Sequence, residues 1–467
     1  MIVFSSSAGD LTLSDSKQLR FLTVFVFYLN QGIGLGLFGF VIPAWLTANG
    51  ASLSEIATIV GLSALPWSLK FISGAIVDRY TFLPMGRRRI WIIGAQSLLV
   101  LCLIGIAVLS PSAEEIALLA VIGFVLNLAV VFQDVGVDAL AIDLFQEDER
   151  PTAAGTMFGA QSIGGAMSVG LAGWLLDAYG LPPAALAMAV LPIATILFGL
   201  TVREREGERK LPWSIGEPHP VNIDLQVTNW RELLITALRS IMLTGSLMLM
   251  PLLLIRSIPA GVSGTFGPTL FSEYAGWSMT DFTNFVALVS FALAIYTMLF
   301  AWKIVRIFGE RNVIAWSCGS ACILSLGFGS LPALWSEAWF LVNFVILTEL
   351  LAITAFIAII PICMRLCCPV VAGTQFVIYM GIANLGAPIG AYLTTVTAGA
   401  GHEQLLFWLL GSLFAAAYCW SFWAQPVYLY TDDDEVAGGR SDLILRISLE
   451  QPYYSSYPTA PYSGPRV

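Results

Sequence analysis

Residues 68–91 read SLKFISGAIVDRYTFLPMGRRRIW, and the character of the chain changes once along them. Up to Val77 the run is apolar with a single charge, Lys70; then come Asp78 and Arg79, a turn-forming segment with Pro84 and Gly86, and the cluster Arg87, Arg88 and Arg89. A second apolar run opens at Ile90. An apolar helix that ends on an acid and an arginine cluster, followed by another apolar helix, reads as a turn between two membrane spans on the side that retains cations.

The rest of the chain fits that reading. Of its 467 residues 57% are hydrophobic and 11% charged, with a mean hydropathy of +0.80, where a soluble chain carries about 25% charged residues. Hydrocarbon offers no partner to a free backbone group, so long apolar runs in it are helices of roughly 20 residues. Apolar runs lie near 20–46, 54–78, 90–110, 115–142, 153–176, 183–202, 241–272, 281–302, 312–331, 337–364, 370–397 and 404–428. They predict an all-α membrane protein with twelve transmembrane helices. The seventh run is interrupted by Arg256, Pro259, Gly261 and Gly264.

Cations follow every even-numbered run: Arg79 to Arg89, Arg150, the stretch from Arg203 to Arg239, Lys303 to Arg311, and Arg365. The intervening loops carry acids such as Glu114, Asp177, Glu273, Glu337 and Glu403, so both termini are expected to be cytoplasmic. RPTAAGTMF at 150–158 is echoed by CPVVAGTQF at 368–376, and GRRRIW at 86–91 more faintly by GERNVIAW at 309–316, which marks two six-helix pseudo-repeats. The expected organisation is a cytoplasmic segment 1–19, a bundle 20–202, a linker 203–240 whose end could lie along the membrane surface, a second bundle 241–428, and a cytoplasmic disordered tail 429–467. The net charge of −9 reflects acids in that tail and in loops. The seven cysteines lie in or at the ends of apolar runs without zinc-site spacing and read as packing residues, while no histidine cluster or activated nucleophile points to an enzyme. Neither metal nor cofactor is expected.

The 68–91 segment resembles the helix 2–3 loop of the major facilitator superfamily, which has a glycine, then Asp-Arg, then Gly-Arg-Arg. The residues between those elements, and the preceding Leu69-Lys70-Phe71, resemble the AmpG muropeptide permease and acetyl-CoA transporter subfamily, as does QDVGVDALAIDLFQEDER at 133–150 with the glycine-rich helix after it. The likeness covers roughly residues 65–180. It implies the major facilitator fold, alternating access, and a loop cluster that reaches the acid at the end of helix 4, here Asp143. Gly74, Asp78, Arg79, Gly86, Arg87, Arg88, Arg89 and Asp143 would then form a conformational lock that holds one access state and breaks in the other; the competing reading is a plain positive-inside anchor. The Gly-Pro pair of the antiporter signature is missing from helix 5, which leans towards symport.

Charges at bilayer depth are costly and usually functional or paired. Lys70 and Asp134 share a depth about 12–14 Å above the ends of helices 2 and 4, counted at 1.5 Å per residue, and Asp138, four residues after Asp134, lies on the same helix face. They are candidates for substrate or proton coupling, for an ion pair that opens to a charged solute, or for a permanent bridge between the two helices. Glu349 falls near the same level in the second repeat, and Arg256 is expected nearer the outer surface, snorkelling. Asn30, Gln31, Asn127, Gln133, Gln161, Asn343, Tyr379 and Asn384 are candidate cavity residues. The expected activity is proton-coupled import of a small organic solute across a bacterial inner membrane by a monomer in the lipid bilayer, without nucleic acid. The resemblance implies an amphiphilic or sugar-peptide-like, muropeptide-like cargo, with siderophore and acyl-CoA-type cargo as the open alternatives. The alternative is a non-transporting relative that acts as an assembly scaffold for pigment complexes.

Overall fold

A computed structural model describes residues 11–51, 53–227, 229–277 and 279–424. The tail 429–467 lies outside them. Among the described residues twelve helices are long enough to cross a bilayer: α1 Lys17–Leu46, α2 in two pieces Leu53–Ser68 and Lys70–Arg79, α3 Arg89–Leu109, α4 Ile116–Leu144, α5 Arg150–Tyr179, α6 Leu181–Thr201, α7 Thr244–Ala275, α8 Asn284–Phe308, α9 Glu310–Ser330, α10 Ala338–Leu366, α11 Pro369–Ala400 and α12 Glu403–Trp423. Ten are continuous apolar spans, the two pieces of α2 meet at 41°, and α5 is a 30-residue helix whose glycines dilute its hydropathy.

Two breaks fall where the sequence weakens the helical ladder. In α2, Pro66 removes one N–H donor and Leu69 leaves the helix at φ −95°, ψ 11°, so that Lys70 starts the second piece. In α7 the chain turns at Ser257, between Arg256 and Ile258-Pro259. The interruption expected in the seventh span is this turn, and Gly261 and Gly264 lie inside the helix after it.

Helix pairings repeat between the halves. α1 lies along α5 and α3 along α6; α7 lies along α11 and α9 along α12. Glycines allow the first and third of these contacts, since a Cβ on Gly164 would run into the Leu29 backbone and one on Gly386 into that of Leu254. Not every glycine serves this way: Gly170, Gly173 and Gly381 have nothing within 4 Å of where a Cβ would stand. Between halves, α2 crosses α11 and α5 crosses α8, again as repeat images.

The apolar cores show how the two bundles meet. One core joins both halves at the arginine-bearing ends, from Leu140, Ala154 and Met157 to Ile360, Met364 and Phe376. Towards the far face it divides into a core of the first half, with Leu37, Leu103 and Leu119, and a separate one of the second half, with Phe271, Phe328 and Leu341. The halves are therefore sealed against each other on the arginine side and part on the other.

Outside the spans, β1 (Leu11–Thr12) pairs in parallel with β2 (Val202–Arg203), a short ladder that a reading based on apolar runs misses. Arg20 secures it: its guanidinium donates to the carbonyls of Leu13 and Ser14 and to both carboxylate oxygens of Glu149, at 3.0 and 2.9 Å. The linker helix Trp230–Ile241, capped by Asn229, buries Leu233 and Ala237 and exposes Trp230, Leu234 and Leu238.

Candidate functional site

The arginine-bearing face is closed by one carboxylate that serves both halves. Asp78, at the end of α2 and 1% exposed, accepts from Arg88 Nη1 at 2.7 Å. Across the interface it accepts from the Thr374 amide at 2.6 Å, the Thr374 hydroxyl at 2.7 Å and the Gly373 amide at 3.3 Å. It thus caps the first turn of α11, where unpaired N–H groups and the helix dipole favour an anion. Gly74, one turn earlier, lets the two backbones meet, because a Cβ there would stand 3.0 Å from the Thr374 Cα. Arg88 also donates through Nε to Asp143 at 3.0 Å, and Arg87 adds Asp143 at 3.5 Å and the carbonyls of Pro369 and Val370 at 3.2 Å each. Burial lowers the Arg88 proton affinity, but Asp143 and Asp78 outweigh it and hold the group above its ordinary value.

Two members of the expected lock lie outside it. Arg79 places its guanidinium 5.1 Å from the Tyr80 ring. Arg89 turns towards the linker and donates to the carbonyls of Gly199, Met85, Arg209 and Lys210. The reason is its place in the first turn of α3, which points it at the end of α6 instead of at α4. Gly86 has φ +99°, and a Cβ on it would overlap the carboxylate of Glu204. That carboxylate accepts the amides of Arg87, Arg88 and Arg89 at 2.9, 2.7 and 2.5 Å, capping α3. A second bridge between halves, Arg365 to Glu147 at 2.6 Å, is shared with Glu310. Under the 218-residue offset between RPTAAGTMF and CPVVAGTQF, Arg365 and Glu147 are equivalent positions, so they meet near the pseudo-two-fold axis. Glu204, Thr374 and this bridge carry no signal in the sequence that separates them from other loop residues.

About 7–14 Å deeper, counted along α4 at 1.5 Å per residue, lies a buried cluster. The Lys70 ammonium pairs with Asp134 and, at 3.4 Å, with Asp138; the Tyr28 hydroxyl donates to the other oxygen of Asp138. All four residues are at most 8% exposed. The break at Leu69 sets Lys70 there at the start of a helix piece, while Asp134 and Asp138, four residues apart, share one face of α4. Tyr28 was not legible as a member, since an aromatic residue in an apolar span has no local mark of function.

Most of the expected cavity residues instead tie helices together. Asn30 donates to Thr195 in α6 at 2.9 Å, Gln133 to the Phe27 carbonyl at 3.0 Å, and Asn127 accepts from Trp67 Nε1 at 3.1 Å. Gln161 donates to Gln31 at 2.7 Å, and Tyr379 bonds Ser246 and Gln375 at 2.6 and 2.7 Å. Asn343 and Asn384 are exposed, and Asn343 donates back to the Trp339 carbonyl of its own helix. Arg256 does not snorkel: its guanidinium stands 3.8 Å from the Phe356 ring and its Nε donates to the Ser257 hydroxyl at 3.1 Å. Glu349 stands within electrostatic reach of Arg256, on the second half's side of the molecule, and not beside Lys70.

Comparison with known proteins agrees with this architecture. The chain matches the Major Facilitator Superfamily over residues 21–391. It is 28% identical over 161 residues to the anhydromuropeptide permease of Escherichia coli strain K12, a match covering 34% of this chain and about a third, 32%, of the permease. It is 23% identical over 403 residues to the folate-biopterin transporter of Synechocystis, covering 82% and 76% of the two chains. Among solved structures it superposes on FucP, a superfamily transporter in the outward conformation, with a TM-score of 0.64 at 11% identity over 86% of this chain and 98% of that one. The proton:xylose symporter XylE gives 0.64 at 12% identity over 86% and 94%. The residues matched span most of both halves, and the chain belongs to the Major Facilitator Superfamily, as a multi-pass membrane protein with AmpG-type permeases among its relatives, about a third to a half of whose length it matches.

Proposed function

We propose that this protein imports a small organic solute with protons by alternating access, and that Lys70, Asp134 and Asp138, with Tyr28, form the coupling centre. The observation that carries the reading is one lysine shared by two buried carboxylates. One ammonium balances one carboxylate. The second acid is then an uncompensated charge in a medium where that is expensive, unless it holds a proton or meets water. A permanent helix bridge needs only one acid, and a scaffold needs none.

The positive-inside rule supports a cytoplasmic arginine-bearing face and cytoplasmic termini, and the bacterial permease among the relatives supports an inner-membrane location. In the arrangement described here the cytoplasmic side is sealed and the halves part towards the outside, ready to receive solute. Entry of solute and proton would be followed by rupture of the Asp78–Thr374 contact and opening inward. The name of the anhydromuropeptide permease points to cell-wall fragments as cargo, and that of the folate-biopterin transporter to heterocyclic solutes; siderophore and acyl-CoA-type cargo carry no such support.

The test compares uptake driven by a pH gradient with solute counterflow in proteoliposomes holding Asp134→Asn, Asp138→Asn or Lys70→Ala. Loss of gradient-driven uptake with counterflow retained is expected for the exchanging acid. Lys70→Ala is expected to lower the amount of folded protein by stranding two acids. Wild-type accumulation by both acid variants would end the assignment.

A further inference from the structure

The linker helix Trp230–Ile241 has three faces, and the bundle accounts for one of them. At about 100° per residue, Leu233, Ala237, Ser240 and Ile241 fall together, and all four are buried. About a quarter-turn round, Trp230, Leu234, Leu238 and Met242 form a ridge, the last of them capping the helix, and Leu234, Leu238 and Met242 are each more than half exposed. Glu232 and Arg239 share the third face and are exposed. Two observations place the ridge at the bilayer boundary. Met242 and Leu243 alone separate this helix from Thr244, where the span α7 opens. The buried face rests on the ends of other spans: Leu233 and Ala237 pack with Val371, at the start of α11, and with Ala75, one turn before the end of α2 at Arg79. Tyr80, just past that end, meets the Trp230 ring edge-on at 5.9 Å.

An exposed apolar ridge at the depth where spans end, with a tryptophan in it and charges on another face, suits the boundary between lipid headgroups and acyl chains. Arg231 lies within the ridge, where its stem can follow the leucines while its head reaches the headgroups. The buried face touches both halves beside their main contact, since Ala75 of the first half adjoins Gly74 and Val371 of the second stands one turn before Thr374. The helix keeps both supports only while that seam is shut. We propose that this helix is a strap docked on phospholipid: the ridge of Trp230, Leu234, Leu238 and Met242 lies in the headgroup–acyl boundary on the arginine-bearing side and holds the opposite face across the seam next to Asp78. A helix held at that height favours the sealed arrangement, and one freed from the lipid can follow either half. The strap is independent of the coupling centre and of what is transported.

The experiment uses the full chain in liposomes of phosphatidylethanolamine and phosphatidylglycerol, keeping the buried Cys363 and Cys367 and replacing the other five native cysteines. Spin labels on E232C, L234C, L238C, R239C and M242C are read by collision with oxygen, which concentrates in lipid, and with a water-soluble nickel chelate. The labels at 234, 238 and 242 should favour oxygen, and those at 232 and 239 nickel. In the unlabelled L234Q/L238Q variant, alkylation of Cys363 and Cys367 by N-ethylmaleimide should quicken on the order of tenfold, the loss that two leucines half-embedded in the boundary represent. If the double variant does not reach the membrane, L238Q alone must quicken it. Ridge labels that meet nickel as freely as those at 232 and 239 overturn the proposal. Ridge labels shielded from both reagents overturn it too, by showing a second copy of this chain on that face. Oxygen-favoured ridge labels with alkylation unchanged refute the strap and leave a helix that merely rests on the surface.

Discussion

Replacing Asp78 by Asn should shift the protein away from the arrangement sealed at the arginine-bearing face. The carboxylate accepts three bonds from Gly373 and Thr374 in the opposite half and one from Arg88. Asparagine keeps one acceptor oxygen and turns an NH2 group towards donors. Each charge-assisted bond that becomes neutral or is lost weakens by about 1 kcal/mol or more, so three cross-half bonds amount to about 3–4 kcal/mol. The arrangement open at this face makes none of these bonds and is not weakened. At 1.4 kcal/mol per factor of ten, the equilibrium between the two moves by about 100- to 1,000-fold. Native cysteines report it: Cys363 and Cys367 are 0% and 6% exposed in the shared core, and the other five can be replaced. Alkylation by N-ethylmaleimide should be slow in the parent and at least about tenfold faster in D78N, well inside that shift. Equal alkylation rates together with full uptake would show that the contact does not set the access equilibrium.

Two further outcomes are expected. Glu208 is buried in the linker between the Arg205 amide and the Asn222 side chain, and burial, then the nearby Glu204, push its carboxyl up from 4.5 to about 8. The folded chain therefore holds a proton that the unfolded chain has released, so this group's contribution to stability falls as pH rises from 4.5 to about 8. Glu208→Gln should flatten that part of the Tm-against-pH curve, and an unchanged slope would exclude Glu208 as its source. Single cysteines at positions 7, 207 and 438 should all label from the cytoplasmic side in intact cells and inverted vesicles; an outward result at any of them overturns the topology.

The sequence determines a great deal here because a bilayer imposes one length scale on it. Runs of about 20 apolar residues, cations in alternate loops and charges stranded at depth can each be read along one dimension, and they yield the twelve helices and the Lys70, Asp134 and Asp138 triad, while the reach of the arginine cluster to Asp143 is implied by the family resemblance alone. What they cannot yield is rotation and partnership. Asn343 and Asn384 have the polarity of cavity residues and are exposed, whereas Asn30, Gln133 and Tyr379, equally polar in the sequence, are buried in bonds between helices. Tyr28, Thr374 and Glu204 are ordinary residues in the sequence and become functional candidates only through partners 110, 296 and 116 positions away. Arg256, which the spacing alone sends to the membrane surface, lies against a ring of α10, Phe356. Hydropathy places a residue in depth, and only the meeting of separate helices decides which way it points and what it touches.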